Sequence, residues 1–154
     1  MDVQNELMTN WLNNGKEISP HLKASLAKLS PEHISGISLA QLDSPMMKQF
    51  RIAKEEAPDA LLFFRMGDFY ELFGIDAVIV SDISGLTLTS RDKNSENPIP
   101  MAGAPVSGYK NHLRKCVQAG FKVAICDPDS YKAFVDQLVF GSRGRELLMN
   151  PIPF

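Results

Sequence analysis

Residues 60–73 have the sequence ALLFFRMGDFYELF, which determines the fold of the region around it. Its first five residues, Ala60 to Phe64, form a continuous apolar run between Pro58 and Gly67. Such a run is typical of a strand that is covered on both faces. A second strand is predicted over residues 68–72, directly after Gly67. The two strands are therefore expected to form a tight pair.

Side chains along the second strand alternate between its two faces. Tyr70 and Leu72 share one face, whereas Phe69 and Glu71 share the other. A buried, ionised Glu without a partner is costly, so we expect Glu71 and Phe69 to face outward. An exposed Phe beside a carboxylate can bind a ligand. The alternative is that Phe69 turns into the core, as most Phe residues do, while Glu71 pairs with Arg65 or lies in a turn.

Five stretches of the chain, in this order and at this spacing, carry a resemblance to a known family. They are SPMMKQF (44–50), LLFFRMGDFYELF (61–73), LTLTSR (86–91), PIPMAGAP (98–105) and VAIC (123–126). The region from residue 44 to residue 126 resembles the amino-terminal mismatch-recognition domain, domain I, of the MutS DNA mismatch repair family. The residues before and after it lie outside this resemblance.

The resemblance implies a site for double-stranded DNA with mismatched or distorted base pairs. In the MutS family a Phe-x-Glu element enters the minor groove, and the matching positions here are Phe69 and Glu71. The family also presents basic residues near the loop 91–97, so Arg91 or Lys93 could contact a backbone phosphate. A solvated connection between two strands is the alternative for this loop.

The chemistry of DNA defects suits these two residue types. Inserting an apolar ring between base steps costs about a few kcal/mol of unstacking, and it costs least where pairing is already defective. A carboxylate among phosphates weakens binding everywhere by repulsion, yet it can accept a hydrogen bond from a displaced base or share a proton with one. The combination favours specificity over affinity. It requires no metal, cofactor or nucleophile.

The composition is that of one ordinary globular domain. The chain has 154 residues and a formal net charge of −2, which argues against DNA binding by overall charge alone. Residues 45–126 contain ten basic and nine acidic side chains, so only this part leans basic. The sequence contains no apolar run that could span a bilayer and does not begin like a secretory signal, which predicts a cytoplasmic protein without membrane contact.

Strands interleaved with helices predict the α/β class, with a mixed sheet flanked by helices as in MutS domain I. Helices are predicted over residues 45–57, 76–84 and 107–119, and further strands over residues 86–90, 98–103 and 121–126. The inward candidates of these helices are apolar: Met46, Met47, Phe50, Ile52, Tyr109, Leu113, Cys116 and Val117. His112 is expected on the helix surface. Cys116 and Cys126 lack further ligands at zinc spacing and are predicted to be buried thiols.

Three parts of the chain are distinguished. Residues 1–43 are predicted to be a helical amino-terminal extension, with helices over residues 2–14 and from Pro20 to Leu29 and a linker from Gly36 to Ser44. Residues 44–126 form the domain that resembles MutS domain I. Residues 127–154 are predicted to be a divergent carboxy-terminal helix and tail.

Two classes of function are compatible with the sequence. None of the ten glycines begins the Gly-x-x-x-x-Gly-Lys-Ser/Thr loop of the MutS ATPase, so we predict a non-enzymatic, stand-alone DNA-binding module. Asp68, Glu71 and Asp76 do not complete a catalytic site. The alternative is an interaction protein with this fold that docks on a partner or competes with full-length MutS. The partner in either case could be a MutS-type ATPase or another repair protein.

Overall fold

The computed structural model describes residues 20–28, 30 and 32–127. Four α-helices, seven strands and a short 3-10 helix follow one another in this part of the chain: α1 (Pro20–Leu26), β1 (His33–Ile34), β2 (Ile37–Ser38), the 3-10 turn (Leu39–Gln41), α2 (Pro45–Glu56), β3 (Ala60–Met66), β4 (Phe69–Phe73), α3 (Ile75–Ser84), β5 (Thr89–Arg91), β6 (Ile99–Pro105), α4 (Tyr109–Gln118) and β7 (Lys122–Cys126). The predicted helix over residues 2–14 and the predicted carboxy-terminal helix lie outside the described residues.

Five strands form one mixed sheet with the order β5-β6-β4-β3-β7. The β3–β7 pair is parallel, while β3–β4, β4–β6 and β5–β6 are antiparallel. Strand β4 therefore lies at the centre, hydrogen-bonded on both sides. The predicted α/β class and mixed sheet are confirmed.

Each face of the sheet is covered by a separate apolar core. On one face, Tyr70 and Leu72 pack under α1, α3 and α4. On the other face, Phe64 and Phe73 pack under α2, where the ring of Phe50 lies edge-on to both, with centroids at 6.1 Å and 5.2 Å. Aromatic pairs prefer such edge-to-face geometry. Both Cys116 and Cys126 are buried free thiols, as predicted.

The inner face of α2 differs in part from the prediction. Met47 and Phe50 are buried, but Met46 is 38% exposed and Ile52 is 51% exposed. Lys54 occupies the next inward turn instead and is almost fully buried. A buried Lys is tolerated only when it is paired, and here its ammonium group lies 2.8 Å from a carboxylate oxygen of Asp76 on α3. This ion pair joins α2 to α3 inside the protein.

A small hairpin, His33 to Ser38, overlaps the beginning of the segment predicted as a linker, Gly36 to Ser44. Strands β1 and β2 pair antiparallel around Ser35 and Gly36, both of which have positive φ. Two central residues with positive φ are characteristic of a type I′ turn. The Ser35 carbonyl accepts a hydrogen bond from the Ile75 N–H at 2.8 Å, and Ile37 is buried in the same apolar core as Phe50 and Phe73. The hairpin thus packs on the main sheet, while the division of the chain at residue 43 stays a prediction.

Two side chains of α4 differ from the prediction. Val117 is 37% exposed, because the buried stripe runs through Tyr109, Leu113 and Cys116 only. His112 is half-buried, and its Nδ1 lies 2.8 Å from the Ser84 hydroxyl on α3. The helical period of 3.6 residues places His112 beside Leu113 at the edge of the interface. The expectation of a surface His112 was therefore wrong.

Candidate nucleic-acid interface

The candidate site begins at the hairpin between β3 and β4. Gly67 and Asp68 form the whole connection, because Met66 pairs directly with Phe69. Gly67 has a φ of +63°, a conformation that L side chains rarely adopt and that suits the first position of a type II′ turn. The Asp68 carbonyl accepts a hydrogen bond from the Val106 N–H at 2.9 Å. The tip of the hairpin is thereby tied to the end of β6.

Phe69 belongs to a row of apolar side chains at this end of the sheet. It pairs with Met66 on β3 and with Pro105 on β6. Paired residues point to the same face, so the three side chains lie side by side. Phe69 is 45% exposed and Pro105 is exposed as well. A large apolar ring therefore meets solvent at the edge of the α2 face of the sheet.

The alternation predicted for β4 is observed. Tyr70 and Leu72 are buried on the opposite face, and Phe69 is exposed. Arg65 does not pair with Glu71. It donates hydrogen bonds to the Gly67 carbonyl and to Asp127. The alternative in which Phe69 fills the core is therefore excluded.

Glu71 forms the second row of the site, next to Phe69 on the same face. Its cross-strand neighbours are Phe64 on β3 and Gly103 on β6. The side chain is half-buried, and Oε2 is buried without a hydrogen-bond partner in the described part of the protein. Loss of solvation disfavours the charged form, so burial raises the pKa of Glu71 above its ordinary value. A carboxyl group that holds its proton more tightly can donate as well as accept a hydrogen bond.

Arg91 and Lys93 lie at a distance from this pair. Arg91 ends β5 and pairs with Ile99 at the beginning of β6, whereas Phe69 pairs with Pro105 at the end of β6. The length of β6 separates the two places by about 20 Å. Alternation puts Arg91 on the same face of the sheet as Phe69. Lys93 follows in the exposed loop.

Comparison with known proteins gives the family. The family model described as MutS domain I matches residues 44–144, which is more than half of the 154 residues. The chain belongs to the MutS domain I family. The match begins at the residue where the resemblance in the sequence begins, and it continues beyond residue 126.

Several bacterial relatives of this MutS domain I chain carry the name DNA mismatch repair protein MutS. The protein from Rhodopirellula baltica is 55% identical over 96 residues, which cover 60% of this chain and 11% of the relative. The protein from Thermodesulfovibrio yellowstonii is 49% identical over 100 residues, which cover 62% and 12%. The protein from Lactococcus lactis is 54% identical over 89 residues, which cover 58% and 11%. The chain thus spans about a tenth of the length of these curated relatives.

Sequence patterns alone missed three neighbours in this MutS domain I site. Met66 and Pro105 flank Phe69, and Gly103 lies under Glu71. The alternating pattern within β4 shows which of its own residues share a face, but only the strand register shows which residues of β3 and β6 stand beside them. The stretch PIPMAGAP contains two of these neighbours.

The described part of the MutS domain I chain also bears on metal and membrane binding. In residues 20–28, 30 and 32–127, no group of three or more His, Cys, Asp and Glu side chains could hold a metal ion. Across the same residues, no helix is long and apolar enough to cross a membrane.

We expect Glu71→Gln to keep or raise stability near neutral pH. Folding raises the pKa of this carboxyl group above its usual value of 4.5, so the folded protein holds the proton more tightly than the unfolded chain does. The resulting stabilisation is present below the unfolded pKa and is lost as the pH rises through the folded pKa. Gln cannot ionise and avoids that loss. Denaturant unfolding of both proteins between about pH 4 and about pH 8 measures the difference, which should grow with pH. A parent protein that gains stability over the variant as the pH rises would contradict the idea that burial destabilises the ionised carboxylate of Glu71.

Proposed function

We propose that this chain binds double-stranded DNA at mismatched or distorted base pairs, with Phe69 inserted into the minor groove and Glu71 beside it. One observation carries the proposal. An exposed aromatic ring and a half-buried carboxyl group that lacks a partner for Oε2 among the described residues stand two positions apart on one face of a central strand. The Phe69 ring lies outside both apolar cores, and the half-buried Glu71 side chain keeps an unused hydrogen-bonding capacity among the described residues, so a ligand can engage both side chains.

The ring of Phe69 supplies the insertion. Proteins that bend DNA commonly place apolar side chains between base steps in the minor groove, at a cost of about a few kcal/mol for unstacking. A mismatched step has already lost part of its pairing and stacking energy, so the cost there is smaller. Met66 and Pro105 extend the apolar surface beside the ring, which suits contact with sugar and base edges rather than with phosphates.

The carboxyl group of Glu71 supplies the discrimination. When ionised, it is repelled by the phosphates of any duplex. Its raised pKa and the negative potential of the groove both favour the protonated form, which can donate a hydrogen bond to an acceptor on a displaced base. In a matched pair these acceptors are stacked and paired. The carboxyl group therefore opposes binding in general and favours it where a base is displaced.

Arg91 and Lys93 are proposed to contact the phosphate backbone. The distance of about 20 Å between Arg91 and Phe69 corresponds to about six base pairs of a duplex that runs along β6. Contacts of this kind position a protein on DNA without reading its sequence. The formal net charge of −2 leaves little general attraction, so local basic residues must supply it.

The relatives named DNA mismatch repair protein MutS support a role for the proposed binding in mismatch repair. This chain corresponds to about a tenth of their length. We propose that this domain contributes recognition of the defect rather than chemistry. A MutS-type ATPase or another repair protein is the partner that would provide the energy-dependent steps.

Competition binding tests the proposal. Matched and singly mismatched duplexes of equal length compete for the parent protein and for Glu71→Ala, at two salt concentrations. Removing the carboxylate relieves repulsion on the order of 1 kcal/mol, so binding to matched DNA should hold or improve. Preference for the mismatch should fall by roughly three- to tenfold, as expected for one lost hydrogen bond.

A matched control accompanies this experiment. Glu55→Ala removes the same charge from the surface of α2, where Glu55 pairs with Arg51, and should leave the preference unchanged. A parent protein that binds no duplex at low salt, or that binds matched and mismatched DNA equally, would refute the proposal. The interaction protein with a MutS domain I fold would then replace it.

A further inference from the structure

The glycine that faces Glu71 allows an unusually close approach. Gly103 pairs with Glu71 across β4 and β6. A Cβ atom built at Gly103 would lie 2.5 Å from Oε2 of Glu71 and 2.8 Å from both Cδ and Oε1. Real Cβ atoms essentially never come within 3.0 Å of another heavy atom. The carboxyl group therefore occupies the volume in which any other residue would carry its side chain.

The backbone conformation does not explain this glycine. Gly103 is absent from the set of residues with positive φ, and its strand neighbours Ala102 and Ala104 carry ordinary side chains into the opposite core. A glycine inside a strand weakens it, unless another group approaches the backbone closely. Here the group that approaches is the carboxyl of Glu71.

We propose that Gly103 is a positioning residue for Glu71, because the space left by its missing side chain holds the carboxyl group flat against β6 and fixes it for contact with DNA. The link to DNA rests on the function proposed above. The positioning itself concerns only the two residues and can be tested without DNA.

The surroundings of the carboxyl group support this role. Burial alone raises the pKa of Glu71, so no neighbouring charge is needed to explain its state. Strand β6 has no titratable side chain. On β3, Arg65 points to the opposite face and contacts Asp127. Three basic side chains of α2 form ion pairs with residues other than Glu71. Lys48 pairs with Asp43, Arg51 with Glu55 and Lys54 with Asp76.

A side chain at residue 103 should displace the carboxyl group rather than the sheet. The three atoms that Cβ would meet are the far end of a flexible side chain, which can rotate away. Rotation moves the carboxyl group from the backbone of β6 into solvent. The carboxyl group then regains hydration and loses its fixed orientation. The proposed contact with a displaced base requires that fixed orientation.

The experiment compares Gly103→Ala with Gly108→Ala. Gly108 precedes α4 with a φ of −129°, and nothing lies within 4 Å of a Cβ built there, so this control makes the same chemical change without a clash. The first measurement is an NMR titration of the Glu71 side-chain carboxyl carbon in each protein. The pKa should move toward the ordinary value of a Glu in Gly103→Ala and stay raised in Gly108→Ala.

The second measurement is the preference for mismatched over matched duplex in two backgrounds. With Glu71 present, Gly103→Ala should lower the preference by roughly three- to tenfold, the effect of one lost hydrogen bond. In a Glu71→Ala background the clashing atoms are gone, so the same substitution should have no further effect. This double-mutant cycle separates positioning from general damage to the fold.

The outcomes distinguish the two proposals. A Glu71 pKa that is equal in Gly103→Ala and the parent protein overturns the positioning role, and so does a loss of preference that is equal in both backgrounds. A shifted pKa in a protein whose parent shows no preference for mismatches supports the positioning and refutes the function. If Gly103→Ala alone is unstable, restored folding in the double variant with Glu71→Ala still supports the role, while equal instability overturns it.

Discussion

Asp76→Ala is expected to reduce the free energy of unfolding by about 3–5 kcal/mol, because it leaves the buried ammonium group of Lys54 without a counter-ion. The Asp76 carboxylate also accepts hydrogen bonds from the Leu62 N–H at 3.2 Å and from the Ser35 hydroxyl at 3.1 Å. One side chain thus joins α2, α3, the central sheet and the β1–β2 hairpin. Domains of this size are stable by only about 5–15 kcal/mol, so the loss is a large share of the total.

Chemical denaturation measures this loss. Asp82→Ala is the matched control, since Asp82 is exposed on the same helix, and it should change stability by less than about 0.5 kcal/mol. The double variant Lys54→Met with Asp76→Asn removes both charges but keeps an acceptor for the Leu62 N–H, so it should recover part of the loss. An Asp76→Ala protein as stable as the control would show that water reaches Lys54.

Phe69→Ala is expected to weaken binding to both matched and mismatched duplex by more than about tenfold, since the ring insertion that we propose would stabilise every kinked complex. The fold should barely change, because the ring is 45% exposed and lies outside both cores. Its stability should differ from that of the parent protein by well under the about 3–5 kcal/mol that truncating a core Phe costs.

Phe73→Ala is the comparison for this prediction. Phe73 lies on the same strand and the same face but is fully buried against Phe50, so its truncation should show the full cost of a core cavity. Fluorescence anisotropy with labelled duplexes gives the affinities, and thermal unfolding gives the stabilities. Unchanged DNA binding by a folded Phe69→Ala protein would remove the wedge from the mechanism.

Strands β3 and β4 are the most predictable part of the fold, whereas the strand predicted over residues 86–90 is observed only at Thr89–Arg91. The apolar run from Ala60 and the break at Gly67 fix both ends of β3, which is predicted within residues 60–66 and observed at Ala60–Met66. The alternation in β4 also predicts the exposed Phe69 and the buried Tyr70. Both results depend on local periodicity, which a sequence shows directly.

Features that depend on distant partners are less predictable. Lys54 lies at helical spacing from Met47 and Phe50, on the same face of α2. This spacing is the signal in the sequence that the Lys54 side chain can point into the protein. Its partner Asp76, however, lies on another helix, and no local pattern connects the two. The hydrophobicity of Ile52 favours an inward side chain, although its position on the helix directs it to solvent.

The amino-terminal hairpin has a local signal in the sequence. Ser35 and Gly36 stand between two Ile residues, and a Ser-Gly pair between apolar residues favours a two-residue turn. In the site, by contrast, the place of Gly103 under Glu71 and the distance from Arg91 to Phe69 require the register of β6. Register depends on pairing between strands rather than on any one strand.

The central place of β4 in the sheet has a mechanical consequence. Strand β4 is hydrogen-bonded on both sides, and Phe73, four positions from Phe69, is fully buried. The backbone that carries the Phe69 ring is therefore rigid. If the ring inserts as we propose, the duplex would have to deform before the protein does. The energy needed to deform a base step would then contribute directly to the binding free energy, so an easily deformed step would be bound more tightly. Under the proposed function, the rigidity of β4 would make the domain sensitive to how easily a DNA site deforms.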